Sequence, residues 1–163
     1  MYWRIGLVMV NDSGKMKRQD ETCLQVIREL VEEELIGEIV EERAVPKQLN
    51  DIAAALIEIT DYYHAHLIFT SGGLRMDPND VAPEAALKVM DRLAPGFSEF
   101  MRTAQLTKDP SAMLNRGVSG MRGRTLIINL PDTPEGVYTC LHGILPYLPA
   151  ALVELNRGNH DDT

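Results

Sequence analysis

Short, continuous apolar segments alternate with amphipathic segments along this chain, and this alternation most constrains what it can fold into. The apolar segments 5–10, 66–70 and 126–130 have the length expected of strands that are buried on both faces. Between them, segments such as 20–36 and 49–59 repeat apolar residues at spacings of three and four, which predicts one buried face of a helix. Strands that alternate with helices predict an α/β fold with a mostly parallel central sheet covered on both faces.

Several local signals refine this prediction. The acidic segment 38–45 is predicted to be a second strand near a sheet edge. Gly37 stands where a glycine cap of the preceding helix is expected. Residues 85–93 carry the apolar stripe of a further helix. Thr133 is predicted to cap the last long helix, with Pro134 at its first position.

Length and charge limit the classes of protein to consider. The 163 residues fit one domain, which we assign to residues 1–155, and the polar segment 156–163 is predicted to be a frayed tail. Lys and Arg number 16 against 24 Asp and Glu, and the resulting net charge of −8 predicts no nucleic-acid partner. The continuous apolar segments are too short to span a bilayer and the N-terminus lacks the pattern of a secretion signal, so we expect no membrane partner.

The two cysteines, Cys23 and Cys140, lie far apart in the sequence. They form no Cys-x-x-Cys pair, and no histidine lies near them at a metal-ligand spacing. This pattern disfavours a disulfide framework or a zinc site. We therefore expect the protein in the reducing cytoplasm.

Small and polar residues follow each predicted parallel strand, in the segments 11–14, 46–47, 70–73 and 129–134. Ligands of open α/β sheets bind beyond the carboxyl ends of the strands, and backbone N–H groups at helix starts bind anions. These loops therefore indicate a phosphorylated small molecule. The alternative is that their Gly, Asn and Ser residues only form turns. Neither the dinucleotide-binding nor the P-loop glycine spacing occurs, which disfavours both kinds of nucleotide site.

The segment 70–85 reads Thr-Ser-Gly-Gly-Leu-Arg-Met-Asp-Pro-Asn-Asp-Val-Ala-Pro-Glu-Ala. It resembles a loop and helix start of the molybdenum-cofactor biosynthesis family that includes MogA, MoaB and the gephyrin G domain. That family carries Thr-Thr-Gly-Gly-Thr-Gly followed by Asp-Val-Thr-Pro-Glu-Ala. Four further segments match family elements in the same order, so the resemblance covers nearly the whole chain; they are 11–13, 95–97, 114–116 and 127–131.

The resemblance implies a three-layer α/β/α sandwich that assembles as a homotrimer and binds molybdopterin, a pterin with a dithiolene and a phosphate. Active members use ATP and Mg²⁺ to adenylylate that phosphate in molybdenum or tungsten cofactor synthesis. Asp80 matches the family's acidic residue at the helix start and is the predicted catalytic residue and Mg²⁺ ligand, since Mg²⁺ prefers carboxylate oxygens. The predicted substrate-binding residues are Asp12, Ser13, Ser71, Gly72, Gly73, Asn129 and Pro131.

The chain departs from the family pattern at four pocket positions. Lys47 replaces a second Asp, so an ammonium stands where a metal ligand is expected, although Lys47 is able to contact a phosphate as a point charge. Leu74 and Arg75 replace Thr and Gly, and Asp132 replaces Gly. Three hypotheses follow. The protein is an active adenylyltransferase, or it is a catalytically impaired member that binds a pterin or nucleotide or serves only in oligomer assembly. The third is that the altered pocket binds a related phosphorylated small molecule other than molybdopterin.

Some residue roles stay open at this level. Asp80 is either catalytic or only a cap of the helix that follows it. Asp51 is either a substitute carboxylate for the pocket or a solvated surface residue. Arg116 lies next to a glycine-rich stretch for which ligand contact and subunit contact are equally open.

Overall fold

A computed structural model describes residues 1–158 and contains a six-stranded sheet. The strands are β1 (Trp3–Asn11), β2 (Gly37–Pro46), β3 (Leu67–Ser71), β4 (Arg92–Leu93), β5 (Ser119–Arg122) and β6 (Thr125–Leu130). Their order across the sheet is β2-β1-β3-β6-β5-β4. The first four strands in this order are parallel, whereas β5 runs antiparallel to β6 and to β4. The prediction of a mostly parallel sheet is confirmed.

Helices cover both faces of the sheet. They are α1 (Arg18–Glu34), α2 (Leu49–Asp61), α3 (Ala82–Val89), α4 (Pro95–Leu106), α5 (Pro134–Ile144) and α6 (Leu148–Leu155), with 3₁₀ turns at Pro110–Leu114 and Leu145–Tyr147. One hydrophobic cluster joins the sheet to α1, α4, α5 and α6. A second cluster joins the other face to α2 and α3. The three-layer α/β/α sandwich is therefore confirmed.

The continuous apolar segment of β1 reflects burial on both faces. Ile5, Leu7 and Met9 pack in the cluster beneath α1, and Val8 and Val10 pack in the cluster beneath α2. Successive side chains of a strand point to opposite faces, so a strand at this position needs apolar residues at every position. The parallel strands thereby place their carboxyl ends at one edge of the sheet.

Gly37 does not cap α1, and that prediction is wrong. The cap residue is Leu35, whose N–H donates to the carbonyl of Val31. Gly37 instead opens β2, where a Cβ would lie 2.1 Å from the carbonyl oxygen of Trp3. The close approach of β2 to β1 is thus what requires glycine there. The placement of β2 at a sheet edge is confirmed.

The apolar stripe predicted through residue 93 ends earlier. Helix α3 stops at Val89, and Leu93 lies in the short edge strand β4 with its side chain exposed. A two-residue strand is too short to show a period of two, which is why the sequence did not reveal it. The start of α5 is as predicted, because Thr133 Oγ1 accepts a hydrogen bond from the N–H of Gly136 at 3.1 Å and Pro134 follows the cap.

The continuous stretch Pro134–Leu155 is long and apolar enough to cross a membrane by length and composition alone. In the fold it is divided into α5, a 3₁₀ turn and α6, and it packs on the sheet. Val137, Leu141, Leu148 and Leu152 are completely buried there. Packing in the core accounts for the apolar character of this stretch.

The segment assigned to a frayed tail begins at Asn156. This residue is buried, and its side-chain amide donates to the carbonyl of Leu152 at 2.9 Å, so the ordered packing continues one residue beyond α6. Residues 159–163 of the tail lie outside the described residues. The limits of the domain stay a prediction.

Candidate functional site

Two adjoining clefts lie where the parallel strands end. The Gly72 cleft has a volume of about 580 Å³, and its walls include Gly72, Gly73, Arg75, Asp80, Asp109, Asn115, Pro131 and Asp132. The Lys47 cleft has a volume of about 550 Å³ and is lined by Val10, Asn11, Asp12, Lys17, Gln19, Asp20, Lys47 and Asp132. Asp132 borders both clefts. The loops predicted to carry the chemistry are therefore brought together at one edge of the sheet.

The glycine pair after β3 has a backbone reason. Gly72 and Gly73 have φ angles of +98° and +72°, a region that residues with a side chain rarely adopt. A Cβ on Gly72 would lie 2.4 Å from the carbonyl oxygen of Val10. The turn at the wall of the Gly72 cleft therefore requires glycine.

Ser71 and Asn129 have partners inside the fold. Ser71 Oγ donates to the carbonyl of Pro131 at 2.7 Å. Asn129 Nδ2 donates to Thr70 Oγ1 at 2.7 Å, and its Oδ1 accepts from the N–H of Val118 at 3.0 Å. Both side chains are buried. They hold the ends of β3 and β6 together, and their predicted contact with a substrate stays a prediction.

The loop after β1 is organised by Asn11, which the sequence analysis placed in the turn segment 11–14 but did not name as a site residue. Asn11 Oδ1 accepts from the N–H groups of Ser13 at 3.1 Å and Gly14 at 2.7 Å, and its Nδ2 donates to Asp20 Oδ2 at 2.8 Å. Asn at a strand end with a glycine three residues later is a typical turn signal that sequence analysis can use. Asp12 is exposed and lines the Lys47 cleft, whereas Ser13 is exposed but does not line it, so its predicted contact with a substrate stays a prediction.

Lys47 and Asp80 form an ion pair between the two clefts. Lys47 Nζ lies 2.8 Å from Asp80 Oδ1 and 3.5 Å from Asp12 Oδ1. The exposed fractions of the side chains are 8% for Asp80, 24% for Lys47 and 80% for Asp12. The hydrogen bond to Asp80 raises the pKa of Lys47, and the charges of Asp80 and Asp12 act in the same direction. The ammonium therefore remains charged at neutral pH.

Asp80 does not cap the helix that follows it, so the capping interpretation is wrong. Its Oδ2 accepts a hydrogen bond from the N–H of Arg75 at 3.0 Å. Helix α3 begins after Val81, and no side chain caps it. The Asp80 carboxylate thus holds its own loop with one oxygen and Lys47 with the other.

Arg116 ties the loop after β3 to α3. Its Nη2 donates to the carbonyl of Asp80 at 2.5 Å, and its Nε donates to the carbonyl of Arg75 at 2.7 Å. Its Nη1 pairs with Glu84 Oε2 at 2.7 Å, and this hydrogen bond lowers the pKa of Glu84. The sequence left Arg116 between ligand contact and subunit contact, and the structure gives it this third role.

The other substituted positions differ in what they present to the clefts. Leu74 is buried in the cluster beneath α2 and α3, although it also borders the Gly72 cleft. Arg75 and Asp132 are exposed and line that cleft. Asp51 is exposed in the first turn of α2 and lines neither cleft, so the structure does not bring it to the site as a substitute carboxylate.

The arrangement at Asp80 does not fit a magnesium ion. Mg²⁺ prefers carboxylate oxygens, but Asp80 Oδ1 faces the Lys47 ammonium at 2.8 Å, and Asp80 Oδ2 accepts a hydrogen bond from the backbone N–H of Arg75. Oδ1 is buried, and the Lys47 ammonium at 2.8 Å is the charge that compensates it. Residues 1–158 contain no group of three His, Cys, Asp or Glu side chains placed to hold a metal.

The two cysteines are buried free thiols. Burial, with added repulsion from Asp132 and Asp20, raises the pKa of Cys23 to about 11. Burial also raises the pKa of Cys140 to about 12. Both groups are therefore protonated at neutral pH, and neither is a thiolate nucleophile.

A family model described as a probable molybdopterin binding domain matches residues 6–150 of the chain. The chain belongs to this family. The resemblance inferred from the loop segments is thereby confirmed, and both clefts of this molybdopterin-binding domain lie within the matched residues.

Relatives with similar sequences match this molybdopterin-binding domain over most of its length. The molybdopterin adenylyltransferase of Helicobacter pylori strain J99 is 32% identical over 157 residues, which is 96% of this chain and 89% of the relative. The molybdopterin adenylyltransferase of Escherichia coli K12 is 34% identical over 142 residues, which is 86% of this chain and 73% of the relative.

Solved structures show the same architecture. The molybdopterin biosynthesis enzyme MoaB from Thermus thermophilus superposes with a TM-score of 0.84 at 38% identity and covers 94% of this chain and 96% of its own. The Mog protein from Mycobacterium ulcerans has a TM-score of 0.82 at 31% identity, and the match covers 93% of this chain and 99% of the Mog protein. The predicted fold class is thus supported by proteins of similar sequence.

Proposed function

We propose that this protein is a molybdopterin adenylyltransferase that acts in the synthesis of molybdenum or tungsten cofactors. The observation that carries the proposal is similarity to enzymes of that name over nearly the full chain, 32% identity across 96% of it. The two clefts at the carboxyl ends of the strands support it, because this edge is where ligands of open α/β sheets bind.

In the proposed reaction, an oxygen of the molybdopterin phosphate attacks the α-phosphorus of ATP. The bond from that phosphorus to the oxygen that bridges the α- and β-phosphates breaks, and pyrophosphate leaves. Gly72, Gly73 and Thr133 line the Gly72 cleft, and backbone N–H groups at a helix start such as that of α5 are suited to phosphate oxygens. The proposal assigns Mg²⁺ no ligand from this chain.

Incubation of the purified protein with molybdopterin, ATP and Mg²⁺ tests the proposal. We expect adenylylated molybdopterin and pyrophosphate in equal amounts, measured by chromatography and a pyrophosphate assay. Asp51→Asn is a matched control, since Asp51 is an exposed acidic residue that lines neither cleft, and it should leave the rate unchanged. A folded wild-type protein that forms no product contradicts the proposal.

The ion pair between Lys47 and Asp80 favours a second candidate, a family member that binds a pterin or nucleotide without turnover. Calorimetric titration with molybdopterin and with ATP separates the two candidates. Tight binding of either ligand with no product supports the second candidate. Formation of adenylylated molybdopterin excludes it.

We also propose that the protein assembles as a homotrimer in the cytoplasm, without nucleic-acid or membrane partners. An apolar cleft of about 630 Å³ between α4 and the end of α5 supports contact between copies, and the side chains of Phe100 and Tyr147 are exposed there. Light scattering after gel filtration should give three times the chain mass of 18.2 kDa. A monomeric mass at all concentrations contradicts the assembly.

A further inference from the structure

We propose that the Lys47 ammonium is the fixed cation of this site, held by Asp80 in the place that a divalent metal would otherwise take. Asp80 is then a positioning residue for Lys47, and a ligand phosphate meets an ammonium rather than a metal bound to Asp80. The inference rests on the proposed function only where it names the phosphate of the ligand. Its metal-binding part concerns the chain alone.

The geometry fixes Asp80 as the partner of Lys47. Lys47 Nζ lies 2.8 Å from Asp80 Oδ1, and the other oxygen accepts from the Arg75 N–H at 3.0 Å. The main-chain carbonyl of Asp80 is itself held by Arg116. Asp80 therefore cannot turn toward a second cation without breaking the contacts of its loop.

Burial makes this pair hard to displace. Only 8% of the Asp80 side chain is exposed, and Oδ1 is buried. Salt and water weaken such a pair much less than a pair on the surface. A divalent cation would have to displace the ammonium and would then stand beside its charge, which is a repulsive arrangement.

The contact of Lys47 with Asp12 is of a different kind. It is longer, at 3.5 Å, and 80% of the Asp12 side chain is exposed. An incoming phosphate oxygen is able to replace Asp12 at the ammonium while the pair with Asp80 stays intact. Lysine binds phosphate as a point charge with three donors, so this exchange needs no metal.

Titration of the purified protein with Mn²⁺, followed by electron paramagnetic resonance, tests the metal-binding part without any nucleotide. We expect wild type and Asp80→Asn to give the same titration, because Asp80 holds no metal. Lys47→Gln should bind one Mn²⁺ per chain at least tenfold more tightly than wild type, and Lys47→Gln combined with Asp80→Asn should lose that gain. Lys47→Arg keeps a cation and should behave as wild type.

Lys88→Gln is the matched control, because the Lys88 ammonium contacts Asn50 and lines neither cleft. It should not change Mn²⁺ binding. A wild-type Mn²⁺ site that Asp80→Asn removes overturns the proposal, and so does a folded Lys47→Gln that binds Mn²⁺ no better than wild type. Where Lys47→Gln does not fold, the comparison of wild type with Asp80→Asn still decides.

Calorimetry with pyrophosphate in the presence of EDTA tests the phosphate-binding part. Wild type and Lys47→Arg should bind pyrophosphate without metal, and Lys47→Met should bind it at least tenfold more weakly. Equal binding by wild type and Lys47→Met overturns this part, as does a wild type that binds pyrophosphate only when Mg²⁺ is present.

Failure of the proposed function is distinguishable from failure of this inference. Absence of adenylylated product with the expected Mn²⁺ and pyrophosphate results removes the function and keeps the inference. Product formation by a wild type that binds Mn²⁺ through Asp80 removes the inference and keeps the function.

Discussion

The loops after β1 and β3 occupy equivalent places, since each follows a parallel strand and carries an aspartate close to Lys47. The loop after β3 is held by charged groups and by the glycine turn at its start. The loop after β1 is held mainly by the neutral amide of Asn11. Asp80 is 8% exposed in the first environment, and Asp12 is 80% exposed in the second.

The difference shows that position at the sheet edge does not decide what a carboxylate does. Asp80 and Asp12 contact the same ammonium, but only Asp80 is fixed by further hydrogen bonds. A fixed, buried carboxylate determines where the cation stays, whereas an exposed carboxylate is exchangeable with solvent or a ligand. If this contrast is correct, removal of the Asp80 carboxylate must cost more stability than removal of the Asp12 carboxylate.

The largest effect is expected for Gly72→Ala. Its φ of +98° and the 2.4 Å approach of an added Cβ to the carbonyl of Val10 predict a loss of about 3 kcal/mol or more, because backbone strain and a steric clash combine. Gly123→Ala is the control, since Gly123 has φ +57° with no atom within 4 Å of the added Cβ, and should cost about 1 kcal/mol. Urea denaturation measures both. Equal costs for the two variants contradict a rigid turn after β3.

The second-largest effect on stability is expected for the ion pair between Lys47 and Asp80. Asp80→Ala should lower the free energy of unfolding by about 2 kcal/mol, because it removes the buried partner of the Lys47 ammonium and the acceptor of the Arg75 N–H. Lys47→Ala should cost a similar amount. The double variant should cost less than the sum of the two by about 1 kcal/mol or more, since the second change removes no further pairing. Additive costs indicate that the two groups do not interact.

The architecture was predictable from the sequence because its determinants are local. The spacing of apolar residues identifies β1, β3 and β6 as well as the helices, and parallel strands necessarily present their ends at one edge. Thr133 and Pro134 identified the start of α5 by local chemistry alone. The place of the site was therefore accessible before any side-chain contact was known.

The contacts within the site were not predictable in the same way. Two partners of Asp80, Lys47 and Arg116, lie on other elements far away in the sequence, and no spacing rule connects them to Asp80. Family resemblance assigned Asp80 to a metal, but the single change to a lysine at position 47 supplies a different partner. Gly37 was misassigned for a related reason, because a glycine required by a neighbouring strand has the same sequence signal as a helix cap.

A smaller effect is expected from the contact between Arg116 and Glu84, which supports the loop after β3 from the outside. Arg116→Ala should cost about 1 kcal/mol at pH 7, mainly through its hydrogen bonds to the carbonyls of Arg75 and Asp80. The pKa of Glu84 is lowered in the folded protein, so its pairing stabilises the fold above the unfolded value near 4.5 and this part is lost as the pH falls through the folded value.

The difference in the free energy of unfolding between wild type and Arg116→Ala should therefore be smaller below pH 4 than at pH 7. The change should be under about 0.5 kcal/mol, because both side chains are partly exposed and water screens the pair. Urea denaturation at pH 3.5 and pH 7 measures it. Arg122→Ala removes an exposed ion pair with Asp61 that is remote from the loop, and it should show no comparable change. A wider gap at low pH than at neutral pH contradicts the assigned sign.

The smallest effect on stability is expected for Asp12, the exposed one of the two carboxylates that contact Lys47. Asp12→Ala should change the free energy of unfolding by less than about 0.5 kcal/mol, because the side chain is 80% exposed and lies 3.5 Å from Lys47. Asn11→Ala, one residue earlier, should cost about 1–2 kcal/mol, since it removes the acceptor for the N–H groups of Ser13 and Gly14. Urea denaturation of the two variants under one set of conditions makes the comparison. A cost for Asp12→Ala equal to that of Asp80→Ala would mean that both carboxylates fix the ammonium, and Asp12 would then not be the contact that a ligand phosphate replaces.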